Sequence, residues 1–310
     1  MADKIATRDS FSKFLVDYGR THKNLVVMNA DVSASTQTKA FENTYPDRFF
    51  NAGIAEQDMM GIATGLAHSG KTVITSAFVL FATGRAFEVV RNAICYTKAN
   101  VKICASHAGL SVGADGATHQ AIEDFALMCS LPNMIVVNPA DDVSARKLLK
   151  QACEINGPAY VRLGRAAVPV LYNEKQKITL GKALKLREGT DATIIATGTM
   201  VNPALEAADK LAKEGIKVRV LDMHTIKPID KKAIIAAAKE TKCIVTAEEH
   251  TIFGGLGSIV ASVVAENCPV PMKIIGIKDT FGESGEPDKL LKKYGLSASD
   301  IIKAVKGLKK

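Results

Sequence analysis

Nine short runs, each about seven residues long and almost continuously apolar, recur along this chain. They are Leu25–Asp31, Thr72–Phe78, Val101–His107, Met134–Ala140 and Ala159–Arg165, then Ala192–Gly198, Lys217–Met223, Cys243–Glu249 and Met272–Asp279. Short runs without polar alternation are the pattern of strands covered on both faces. Between them lie stretches with helical periodicity, such as Thr7–Thr21, Gln57–Ser69, Arg85–Thr97, Asp142–Ile155, Pro203–Glu214 and Leu256–Glu266. Strand–helix alternation predicts an α/β protein built on doubly wound parallel sheets. The rhythm breaks at Val168–Thr190, where Pro169, Asn173, a Lys/Glu/Gln cluster and Gly181 intervene. Two domains are therefore expected, 1–170 and a smaller 191–310, joined by a linker at 171–190. A chain of 310 residues suffices for both, since single cores stop growing near ~250–300 residues. Near the end, Gly295 is placed to close one helix, and Ser297 with Asp300 to cap the next.

Composition excludes several classes. Hydrophobic residues at 47% and charged residues at 23% describe an ordinary globular protein. No apolar run approaches the ~18–20 residues needed to cross a bilayer, and Met1–Arg8 lacks the apolar core of a secretion signal. The cytoplasm is the expected setting. Six cysteines (Cys95, Cys104, Cys129, Cys153, Cys243 and Cys268) fall singly in apolar stretches, with no C-x-x-C pair. They read as reduced, mostly buried thiols. The net charge of +8 comes largely from lysines scattered over helix faces, without a dense run or interleaved aromatics. Neither nucleic acid nor membrane is an expected partner. A mild positive field suits an anionic substrate, and a solvated surface explains it equally well.

Four candidate site residues are found by position alone. Asp31, Phe78, His107 and Arg165 each end a predicted strand, and ligands of open parallel sheets bind outside the carboxyl ends of strands. Other candidates come from three segments: Asn51-Ala-Gly-Ile-Ala-Glu-Gln57, Phe78-Val-Leu-Phe81 and the glycine-rich stretch from His107 to His119. Glu56 opens a helix, where an acid ordinarily complements the helix dipole. Its small neighbours Gly53, Ala55, Gly61, Ala63 and Gly65 would also let that helix pack closely against another backbone. Phe78 and Phe81 read as core packing or as a ring-binding wall. A metal site from His107, Asp115 and His119 is disfavoured, because a twelve-residue separation is not a zinc spacing. In the second domain, Glu248-Glu-His250 precedes Phe253-Gly-Gly-Leu-Gly257, a glycine-rich turn able to cradle an anion at a helix start. Val260 stands in the third glycine's place, so a dinucleotide fingerprint fails.

Taken together, these segments resemble the transketolase family, and the match runs from Arg8 to Phe281-Gly-Glu-Ser-Gly-Glu-Pro287. The resemblance implies that Glu56 hydrogen-bonds the pyrimidine nitrogen of thiamine diphosphate. A carboxyl shielded from water by an apolar interface can share a proton there and promote the imino tautomer that deprotonates the thiazolium. It also implies that Phe78 and Phe81 enclose the pyrimidine. A third aromatic often follows three residues later; Gly84 stands there instead. Asp31 would lie beside the thiazolium or the acceptor site, Asp115 on sugar hydroxyls and His119 near the reacting carbonyl, with His107 at the phosphate or sugar. Arg8, Ser35, His107 and Arg165 coincide with the positions that grip the phosphate of a ketose or aldose, a task suited to guanidinium forks.

The family also holds the cofactor's diphosphate through Mg²⁺ or Ca²⁺, using Gly-Asp-Gly followed about 25–30 residues later by Asn. That pair is absent from this sequence. The expectation is the carboxy-terminal subunit of a split transketolase of the pentose phosphate pathway type. An amino-terminal partner would carry the metal ligands, in an α2β2 heterotetramer. The reaction would move a two-carbon ketol unit from a ketose phosphate to an aldose phosphate. Rivals are the β subunit of a 2-oxo-acid dehydrogenase, a deoxyxylulose-phosphate synthase fragment and a non-catalytic scaffold. The Gly-Ala-Asp-Gly-Ala-Thr-His-Gln stretch and the Arg8/Ser35/Arg165 set oppose the first, and intact Glu56 and His119 oppose the last.

Overall fold

The structure, a computed structural model, describes residues 3–308. The apolar runs form two sheets. The larger has seven strands, ordered Thr225–Lys227, Ile135–Val137, Ala159–Arg162, Val101–Ala105, Thr72–Ser76, Leu25–Asn29 and Phe49–Asn51. All its pairings are parallel except that of the Thr225–Lys227 edge. The smaller sheet runs Met272–Ile277, Ile244–Thr251, Ala192–Ala196, Val218–Asp222 and Leu184–Arg187, with only the last antiparallel.

Absence of alternation in the sequence has the expected cause. Leu25 and Val27 enter one apolar core while Val26 and Met28 enter another on the opposite face. Ile194 and Ile195 divide the same way in the second sheet. Each core draws residues from both sheets, so the two units are packed together rather than strung apart. Strand exchange reinforces this. Thr225–Lys227 leaves the second half of the chain to edge the first sheet, and Leu184–Arg187, inside the expected linker, edges the second.

Element ends depart from expectation in an informative way. The strands stop two or three residues early, at Asn29, Ser76, Ala105 and Arg162. Asp31 (φ 61°) and His107 (φ 66°) adopt left-handed backbone, which a strand cannot continue. Those residues therefore stand on the first loop positions above the sheet. The expected helix Arg85–Thr97 is broken as well. Wide π turns at Phe81–Arg85 and Val90–Cys95 flank a single helical turn, Phe87–Val89. The helix from Glu56 spans Glu56–His68, and Gly295 (φ 75°) follows the helix Pro287–Lys293 as expected. Ser297 Oγ donates to the Asp300 carboxylate at the next helix, Ala298–Leu308.

Candidate active site

A short two-stranded antiparallel pairing explains how residues 157 positions apart share one rim. Lys4–Ala6 pairs antiparallel with Ala167–Pro169, and the Gly164 amide donates to Thr7 Oγ1 at 2.8 Å. Arg8 and Arg165 are thereby brought into each other's field. Arg8 Nη1 donates to the Ser35 carbonyl (2.9 Å), and its buried Nε has no hydrogen-bond partner among the described residues. Arg165 Nη1 donates to the Val112 carbonyl (2.7 Å) and to Asp115 (3.1 Å). Burial, then Arg8 and Arg165, push the His107 imidazole down to about 4, against the pull of Asp115. His107 is thus neutral at working pH, beside two guanidiniums.

The aromatic residues continue the rim. Phe78 lies 4.3 Å from the His107 ring, 6.3 Å from Phe81 and 6.0 Å from His119, and Phe81 lies 5.4 Å from His119. Phe78 is held there by a parallel bridge to Ser106. Glu56, 3% exposed, stands at the helix start on the same side, and Arg85 Nη1 donates to its Oε2 at 2.8 Å. The same guanidinium lies 4.5 Å above Phe81. Within this chain Glu56 thus shares its place with a half-exposed cation. Arg85 directly follows Gly84, the position where a third aromatic was expected.

Asp31 is fixed through the Asn51 motif. Its amide donates to Asn51 Oδ1 (2.9 Å), and Asn51 Nδ2 returns a bond to Asp31 Oδ1 (3.0 Å). Asn29, fully buried, bonds Thr36, Thr38 and the Ser76 carbonyl and accepts from Val32, shaping the loop that carries Ser35. Neither asparagine was singled out by role from sequence, though a polar residue inside an apolar run was the available signal.

The glycines behave differently in the two domains. Gly61 and Gly65 are exposed, and a Cβ on either would meet nothing within 4 Å. Their helix face therefore packs on nothing within this chain. In the second domain the glycine-rich turn does cradle an anion, but the anion is internal. Glu248 accepts from the amides of Leu256 and Gly257 at the start of helix Leu256–Asn267. Burial pushes this carboxyl up to about 7 against those two bonds.

Two α/β units with a carboxylate, aromatic and guanidinium rim at the strand ends define the class: a two-unit α/β protein built on mainly parallel sheets. Residues 3–170 match the family model "Transketolase, pyrimidine binding domain", and 181–301 match "Transketolase, C-terminal domain". A putative transketolase C-terminal section from Methanocaldococcus jannaschii is 46% identical over 301 residues, covering 96% of this chain and 94% of that one. A 6-deoxy-6-sulfo-D-fructose transketolase subunit from a Clostridium species is 40% identical, covering 96% and 92%. A solved structure described as a split gene transketolase, inactive beta4 tetramer, superposes with a TM-score of 0.92 at 50% identity, covering 98% of each chain. This chain belongs to the transketolase family, with the extent of the carboxy-terminal section of a split enzyme. No helix among the described residues is long and apolar enough to cross a membrane.

Proposed function

We propose that this chain is the catalytic carboxy-terminal subunit of a thiamine-diphosphate-dependent transketolase, completed by an amino-terminal partner in an α2β2 assembly. Residues 1–170 are its pyrimidine-binding domain and 191–310 its carboxy-terminal domain, with 171–190 between them. The observation that carries the reading is Glu56, a buried carboxyl beside the Phe78–Phe81 wall and the two histidines. That set suits the cofactor's pyrimidine half, with Arg85, half-exposed, bridging Glu56 and the Phe81 ring. The partner would supply Mg²⁺ or Ca²⁺ and the diphosphate ligands. All six cysteines remain thiols, which suits a reducing cytoplasm.

When bound, thiamine diphosphate supplies a nucleophilic carbon and a sink for electrons. Glu56 holds or exchanges the proton at the pyrimidine nitrogen. Phe78 and Phe81 wall the ring, and Asp31, fixed by Asn51, borders the thiazolium side. Neutral His107 and the neighbouring His119 move hydroxyl protons of the sugar, whose other hydroxyls Asp115 binds. Arg8, Ser35 and Arg165 grip the sugar's phosphate. Arg8 Nε supports this: it makes no hydrogen bond among the described residues, its ion-pair partner Asp9 standing 3.7 Å away.

The test is calorimetry with thiamine diphosphate and Mg²⁺, followed by a ketol-transfer assay using xylulose 5-phosphate as donor. Weak binding to the chain alone, micromolar or tighter binding with the partner, and transfer by the complex are expected. Tight metal-dependent binding by the lone chain, or no transfer by the loaded complex, overturns the proposal.

A further inference from the structure

The loop from His107 to His119 carries three proposed site residues and has almost no regular structure of its own. His107, Gly109, Gly113 and Gly116 all have left-handed backbone (φ 66°, 70°, 85° and 76°), and its only helical element is the single turn Leu110–Val112. Within the first domain, Arg165 holds Val112 and Asp115, the Gly109 amide donates to the Ala121 carbonyl (2.8 Å), and Gln120 Nε2 donates to the Leu110 and Gly113 carbonyls. The second domain adds contacts on two sides. From the strand Ile244–Thr251, the carboxylate of Glu249 reaches under the loop. Oε1 accepts from the Ser111 amide (2.6 Å), and Oε2 accepts from Ser111 Oγ (3.2 Å) and from Thr199 Oγ1 (2.8 Å). The approach is so close that a Cβ on Gly109 would lie 2.5 Å from Glu249 Cδ. On the other side lies the segment 282–287. Gln120 Nε2 donates to the Glu283 carbonyl (2.9 Å), and a Cβ on Gly116 would lie 2.6 Å from Ser284 Oγ.

Glu249 is itself anchored to the first domain. Arg162 donates to its carbonyl at 2.9 Å and pairs with Asp124 at 2.8 Å, both deep in the interface. Three donors thus converge on a carboxylate that is 2% exposed and belongs to a domain with no assigned chemistry. We propose that Glu249 is a positioning residue: it sets the Gly109–Ser111 turn and, through it, where His107 and His119 stand against Phe78 and Phe81. This rests on the transketolase reading, and it gives the carboxy-terminal domain a part in donor turnover rather than in packing alone. The residue type follows from the contacts. A carboxylate accepts from every side, whereas glutamine retains the amide bond through its oxygen and can donate to hydroxyls that are able to turn and accept.

The experiment compares Glu249→Ala with Glu249→Gln by amide hydrogen exchange on the full chain and by donor kinetics in the reconstituted, cofactor-saturated complex. In Glu249→Ala the amides of residues 109–116 should exchange about 10–100-fold faster, the equivalent of losing one charge-assisted hydrogen bond. Helix Glu56–His68 should stay protected. The kcat/KM for xylulose 5-phosphate should fall about 10²-fold, the usual cost of a displacement near 1 Å at a reacting group, with cofactor affinity unchanged. Glu249→Gln should recover most of both losses. Unchanged loop exchange in Glu249→Ala, or equal acceleration in the loop and in helix Glu56–His68, overturns the proposal. Should Glu249→Ala fail to fold, Glu249→Asp, which draws the carboxylate back from Ser111, is read against the same outcomes. Absence of ketol transfer in the wild-type complex would instead sink the transketolase reading, and the exchange comparison would still decide the role of Glu249.

Discussion

Substituting Glu56 by glutamine separates proton chemistry from packing, because the structure assigns the two very different sizes. The carboxyl is buried at the first turn of its helix, and Arg85 donates to it from a half-exposed position. Glutamine keeps the volume and still offers Arg85 an oxygen. What is lost is the charge of a pair whose cation is half-exposed, worth about 1 kcal/mol once screening by solvent is counted. The chemical role is larger. Losing an acid–base group slows turnover by about 10²–10⁴, or about 2.7–5.5 kcal/mol in barrier height. The denaturation midpoint of Glu56→Gln should therefore move little while turnover collapses. Assays belong at saturating thiamine diphosphate with the partner present, so that reduced occupancy is not read as slow chemistry. Proton–deuterium exchange at the thiazolium carbon is the direct observable and should slow in parallel with turnover. If exchange and turnover both stay near wild type, Glu56 is only a helix-start carboxylate and the proposed mechanism fails.

Two further outcomes are expected. Arg165→Ala should raise the KM for a phosphorylated ketose donor by roughly 10–100-fold, the cost of a charge-assisted contact, and affect hydroxypyruvate far less. Because Arg165 also bonds Val112 and Asp115, an equal loss for both donors would mark it as a loop anchor only. His250 should make stability depend on pH. Its buried ring accepts from the Phe125 amide at Nε2 and bonds the Thr251 carbonyl at Nδ1, so an added proton would set donor against donor. Burial pushes it down to about 4, below its unfolded value of 6.5. The unfolded chain then binds more protons between those limits, and about 3 kcal/mol of stability is lost as pH falls from about 6.5 to about 4. Glu248, raised to about 7, acts oppositely in an overlapping window, so the comparison is between wild type and His250→Gln. Urea unfolding at pH 7 and pH 5 should show a smaller acid loss in the variant; identical losses would exclude His250 as the titrating group.

What the sequence disclosed follows from the range of the interactions involved. Both sheets were legible because two-sided burial writes an unbroken apolar run into each strand, a local signal. The rim was legible too, although for a partly mistaken reason. Asp31, Phe78, His107 and Arg165 were read as strand ends, whereas they stand just beyond, where left-handed backbone at Asp31 and His107 turns the chain off the sheet. The same turn that ends a strand early carries the residue off the sheet, so the misplaced boundary and the loop position share one cause. The break in the expected helix Arg85–Thr97 was not legible, because a π turn leaves the apolar spacing nearly intact. Least visible were the contacts between domains. Thr225–Lys227 is too short to announce itself as a strand of the other sheet, and Ser111 meets Glu249 across 138 residues. Yet Glu248-Glu249-His250 stood in the sequence as three ionisable residues at the end of a buried strand. Desolvation of such groups is costly unless each finds partners, and here one closes a helix, one holds the site loop and one braces Phe125. A cluster of that kind in a domain without chemistry of its own therefore points to the neighbouring domain as the place where its partners, and its function, are to be found.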